Sequence, residues 1–139
     1  MRSLLLGVTA LALASGAFAL LIPDAAGQGT KAPPQRATPP TSFREDVFPI
    51  FKGRCIECHQ PGGQGYQTSG LDLTTYEGLM KGTKFGAMVI PGDPDSSNLM
   101  WLLDWRASPQ LRMPHGTKKL SACDRDEIRR WIREGAKNN

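Results

Sequence analysis

No phosphate-cradling loop and no base-reading aromatic pattern accompanies the basic residues of this chain. That argues against nucleic acid as a partner. No βαβ pattern surrounds its cysteines, so a thioredoxin-like disulfide site lacks its usual frame. No second ligand pair at zinc spacing follows the first cysteines, and a closed structural zinc site needs four ligands. There is no internal repeat. Cysteine is scarce and odd in number, three in 139 residues.

What is present begins with an export signal. Arg2 supplies the positive start, Leu4 to Leu13 is apolar, and small residues follow at Ala17-Phe18-Ala19 and Ala25-Ala26-Gly27. Residues 1–27 read as a signal peptide. The uncharged run from Leu4 to Ile22 is nearly long enough to span a bilayer, which leaves an N-terminal membrane anchor open. In either case the rest is expected outside the cytoplasm. Residues 28–41, with Pro33-Pro34 and Pro39-Pro40, form a linker that favours extended conformation. Residues 42–139 remain for one small domain, near the lower limit for a self-sufficient core.

The decisive feature of that domain is Cys55-Ile56-Glu57-Cys58-His59, a C-x-x-C-H run. This is the attachment signature of haem c. Two thiols add across two vinyl groups of one porphyrin, so they must lie a short, fixed distance apart. Positions three apart share one face of a helical turn, and His59 then reaches the iron from beneath the same ring. A large apolar ring also adds burial that a chain this small cannot supply alone. Cys123 is left over, and free cysteine is usually a small buried apolar residue.

The pattern around the motif is helical. Ser42 and Glu45 have the spacing of a capping box, and Phe43, Val47, Ile50 and Phe51 recur at helical period until Pro49 kinks or ends the run. Gly62 to Gly70 reads as a loop by composition, and Leu71-Asp72-Leu73 as short and extended. Thr74 to Glu77 offers a second capping box, for a brief helix to about Lys81 with Gly82 as its stop. Asp95-Ser96-Ser97 caps a third helix through Leu103. Ser121 caps a last one, with an apolar stripe of Ile128, Trp131 and Ile132 and Gly135 at its end. Its Arg125, Arg129, Arg130 and Arg133 read as a solvated face. The expected fold is all-α: three to five short helices and long loops around a covalent haem.

His59 fills one axial position of the iron. For the other, the candidates are Met80, Met88, Met100, Met113 and His115. Met88 and Met100 read as core, and Met80 fits either role. Met113 lies in Leu111-Arg112-Met113-Pro114-His115-Gly116, which proline and glycine keep non-helical. Loops carry site residues onto a scaffold, and Pro114 stiffens the backbone beside the thioether.

Several segments resemble the c-type cytochrome domains of bacterial periplasmic proteins, the planctomycete type among them. They are Val47 to Phe51, Cys55 to His59, Leu71 to Leu73, Tyr76 to Leu79, Pro91 to Pro94, Arg112-Met113-Pro114, and Trp131-Ile132 before Gly135-Ala136. The resemblance covers nearly all of the domain. It implies haem attachment outside the cytoplasm and makes the methionine of the Met-Pro pair, Met113, the distal ligand. Many relatives carry a second proline where this chain has His115, which keeps His115 as a rival ligand.

Histidine–methionine ligation closes the iron to exogenous ligands and raises its potential. The expectation is therefore a monohaem carrier of single electrons between redox proteins, and not an enzyme. Two alternatives remain: a haem subunit of a membrane electron-transfer complex, and an open-site haem sensor or peroxidase. The formal charge of +4 and the isoelectric point near 9.2 suit an acidic partner. Arg112, Lys118 and Lys119 beside the ligand loop, with Lys81 and Lys84, are the candidate docking charges.

Overall fold

The computed structural model describes residues 39–139. The expected export segment, 1–27, and all but the last three residues of the linker lie outside the described residues. Among the described residues there are five α-helices and no strand. This is the all-α architecture expected.

The first helical segment starts as a π turn, Phe43–Val47, and continues as α1, Phe48–Arg54. The Glu45 N–H donates to Ser42 Oγ at 3.1 Å, which is half of the expected capping box. The return bond comes from a different residue. The Ser42 N–H donates to the Asp46 carboxylate at 2.8 Å, because the wider π turn brings the residue four on back to the cap. Pro49 neither ends the run nor breaks it. It sits in the first turn of α1, and the π turn before it absorbs the missing N–H and the ring's bulk.

The stretch read as a loop contains a helix, α2, Gln64–Ser69, which corrects that reading. Its composition is poor for helix. Tertiary contacts impose it: the Tyr66 N–H donates to the Cys58 carbonyl at 3.0 Å. Helix α3 is Tyr76–Lys81, with Thr75 rather than Thr74 as the side-chain cap, through the Gly78 N–H at 3.0 Å. Thr74 is diverted to Asp72 Oδ1.

Helix α4, Asn98–Leu103, follows Ser97. Ser97 is fully buried and does not cap the helix. Its hydroxyl donates to the Asp93 carbonyl at 2.7 Å and accepts the Ile90 N–H at 2.9 Å, tying down the preceding turn. Helix α5, Ala122–Arg133, is capped by Ser121 as expected, with Ile128, Trp131 and Ile132 buried.

The core gathers apolar side chains from every α-helix except α2: Phe51, Leu79, Met100, Ile128, Trp131 and Ile132, with Val47 from the π turn. Phe43 lies 5.4 Å from Trp131 and 5.2 Å from Tyr76, ring to ring, so the first and last helices meet through aromatics. The residues after α5 lock this junction. Tyr76 donates its hydroxyl to the Ala136 carbonyl at 2.8 Å, and Trp131 its indole N–H to the Lys137 carbonyl at 2.9 Å. Asn139 accepts the Phe43 N–H on its side chain and the Arg44 N–H on its carbonyl, serving as a remote N-cap. Thr41 is buried and bonded to Glu134 and Arg130, so the packed region reaches one residue into the segment read as linker.

Two expectations for α5 fail. Cys123 is exposed, not buried. It precedes Ile128 by five residues, which on a 3.6-residue period places it off the apolar stripe. Arg125 and Arg129 are not simply solvated. Both bind Asp104 at the end of α4, at 3.2 and 2.6 Å.

Ile128→Ala removes a fully buried side chain and is expected to destabilise the folded protein by about 2–5 kcal/mol. Tyr76→Phe should cost roughly 1 kcal/mol through the lost bond to Ala136. Urea unfolding of the purified protein, with an unchanged slope, measures both.

Candidate functional site

The Cys55–His59 run forms one hydrogen-bonded turn beyond α1. Cys55 terminates the helix, donating its N–H to the Phe51 carbonyl at 2.8 Å. The N–H groups of Cys58 and His59 both return to the Cys55 carbonyl, at 3.2 and 3.0 Å. The two thiols therefore stand one turn apart, as their spacing requires. Cys55 is half-buried against the core and Cys58 is exposed, and neither is in a disulfide. Burial pushes the Cys55 thiol up to about 11, against the opposing pull of Arg54. At neutral pH the free thiol is protonated.

His59 is half-buried. Its carbonyl accepts the Leu73 N–H at 2.8 Å, which pins the backbone below the ring. Burial lowers the imidazole's pKa, and the backbone at Leu71 offsets this only in part. The ring is thus neutral, the form that donates a lone pair. Nδ1 is buried without a hydrogen-bond partner of good geometry.

One face of α2 makes room for that ring. A Cβ at Gly65 would lie 2.8 Å from His59 Cε1 and 2.9 Å from Nε2. Only glycine allows this approach, and Gly65 is a site residue that composition alone had hidden inside a presumed loop.

Met113 stands on a separate loop. A 3-10 turn, Pro109–Leu111, precedes it, and the chain is extended at Arg112. Met113 is half-buried and packs against the same core as Cys55. Its backbone is fastened at both ends. Its N–H donates to the Leu102 carbonyl at 3.2 Å, and its carbonyl accepts the Trp105 indole N–H at 2.9 Å. Of the rivals, Met88 and Met100 are buried in the core as expected, Met80 is half-buried at its edge, and His115 is exposed.

Trp105 is half-buried beside the Met113 loop, at the C-terminal end of α4. There the Trp105 N–H returns to the Leu102 carbonyl and the Arg106 N–H to the Trp101 carbonyl, closing a Schellman motif. The left-handed position of that motif is normally glycine, yet here it is Trp105, at φ 62°. A bulky residue there costs on the order of 1–3 kcal/mol. Arg112 and Lys119 lie over its ring, at 5.5 and 5.8 Å from the centroid. Lys119 also donates to the Asp104 carbonyl at 2.6 Å. Two of the candidate docking charges are thus engaged within the domain, while Lys81, Lys84 and Lys118 remain exposed.

Residues 55–115 match the model of the family described as Planctomycete cytochrome C. The matched stretch opens on the first motif cysteine and closes on His115, so it contains both the tether turn and the Met113 loop. No curated protein and no solved structure matches the chain. The motif, the helical fold and this match together support a c-type cytochrome domain in this chain.

Proposed function

We propose that this protein is a monohaem cytochrome c that carries single electrons between redox proteins outside the cytoplasm, and that it is not an enzyme. Haem-based electron transfer is the role the domain family suggests. The finer reading rests on one observation above all: a half-buried imidazole set against a glycine, one turn from two free thiols. Such domains are generally extracytoplasmic, and the export signal agrees. Among the described residues no helix is long and apolar enough to cross a membrane.

The residues present fit haem c. The His59 ring is half-buried against Gly65, its Nδ1 makes no hydrogen bond of good geometry, and a side chain at position 65 would collide with the ring. Cys55 and Cys58 would hold the porphyrin through thioethers, and His59 and Met113 would ligate its iron. Haem c, once held, supplies the one-electron couple of its iron.

The chain's own residues do the rest. His59 stays neutral because burial disfavours its protonated form. The Leu73 N–H fixes its backbone and Gly65 its ring. The Met113 loop, fastened at both its N–H and its carbonyl, offers a soft thioether on a backbone held in place. Lys81, Lys84 and Lys118 form the exposed positive charge that draws an acidic partner.

Mass spectrometry and the reduced absorption spectrum of the mature protein should show one haem. Carbon monoxide should leave the reduced spectrum unchanged. A bleached or shifted band would mean an open site and overturn the carrier reading. Gly65→Ala should displace the His59 ring, destabilise the haem-loaded protein by roughly 1–3 kcal/mol in urea unfolding, and lower the yield of attached haem. Electron-transfer rates with an acidic partner should fall as salt rises.

A further inference from the structure

We infer that Trp105 is a positioning residue for the distal iron ligand, holding the Met113 loop in register through its indole N–H. The inference rests on Met113 as that ligand. Three observations carry it.

First, the bond from Trp105 Nε1 to the Met113 carbonyl, at 2.9 Å, is made to the backbone of the ligand residue itself. With the Met113 N–H on the Leu102 carbonyl, it fixes both peptide groups flanking the thioether-bearing Cα. Rotation of that segment about its axis, which would swing the sulfur away, breaks one bond or the other.

Second, Trp105 occupies a position that favours glycine. The Schellman closure of α4 needs a left-handed residue there, and Trp105 supplies it at φ 62° against its own steric preference. Backbone strain of this kind persists where the side chain is needed. Helix termination is served as well or better by glycine, so the closure does not explain the tryptophan. The indole bond does.

Third, the platform beneath Trp105 is braced. Asp104, the residue before it, is held by Arg125 and Arg129 from α5, and its carbonyl takes the Lys119 ammonium. Arg112, adjacent to the ligand, lies over the Trp105 ring and donates to the Ala107 carbonyl at 3.3 Å. The ligand loop is thereby tied to α5 through Trp105 and Asp104.

The test uses the full haem-loaded protein in its ferric state. Two readouts report the iron–sulfur bond: the weak far-red band of methionine ligation, and the affinity for added imidazole, which displaces the methionine. Trp105→Phe keeps the ring and loses the donor. It should weaken the far-red band and tighten imidazole binding roughly five- to tenfold. Trp105→Gly relieves the backbone while losing the same bond. It should loosen the ligand equally, while in urea unfolding the relief of the left-handed backbone is set against the lost bond and ring contacts. The iron readouts decide: a merely structural tryptophan predicts that stability falls in both variants with both of these readouts unmoved. That result overturns the proposal.

Should either variant fail to fold, the parent protein still decides the matter. The Trp105 indole proton should exchange slowly with solvent in the methionine-bound form and faster once imidazole has displaced Met113. Equal exchange in the two forms counts against the proposal. Met113→Ala separates the underlying reading. It should abolish the far-red band, and its persistence would show that the distal ligand lies elsewhere, whatever Trp105 does.

Discussion

Side-chain donors that reach across the chain to backbone carbonyls hold this domain together. Its helices are short, and long loops connect them, so many peptide groups have no partner within a helix. Buried peptide groups must be satisfied. Tyr76, Trp105, Trp131 and Lys119 each supply a donor at the tip of a long side chain, to Ala136, Met113, Lys137 and Asp104. The three aromatics also bring apolar body to the contact. Burial and loop fixation are thus performed by the same residues.

The candidate site is assembled from two loops that share this scaffold. The tether turn hangs from the end of α1, and α2 lies against it through Gly65. The Met113 loop hangs from the end of α4. Neither depends on the intrinsic helicity of its surroundings. The His59 side depends on close approach, and the Met113 side on fastened peptides. A redox centre benefits from both, since a ligand cage that does not rearrange between oxidation states exchanges electrons with little reorganisation.

Much of this was legible in the sequence because it is local chemistry. C-x-x-C-H is read at once, and so are the Ser42, Thr75 and Ser121 caps, to within a residue, because a cap needs only its own turn. The stripe of Ile128, Trp131 and Ile132 follows from helical period. What the sequence hid is tertiary. Gln64–Ser69 looks like a loop because its helix is imposed by contact with the Cys55–His59 turn. Arg125 and Arg129 look solvated because their partner, Asp104, comes from another helix. Cys123 was placed by the habits of its residue type, when its phase on α5 was the better guide. Trp105 carries no local mark, since the bond that distinguishes it spans a loop.

The remote cap made by Asn139 bears on how the domain is built. Its side-chain amide donates to the Thr41 carbonyl, joining positions 98 apart in sequence. Contacts of such separation close late. A chain delivered amino end first therefore lays out the tether turn while the clasp that completes the domain is still to come. During that interval both thiols stand open to modification, and the clasp at Asn139 closes only afterwards.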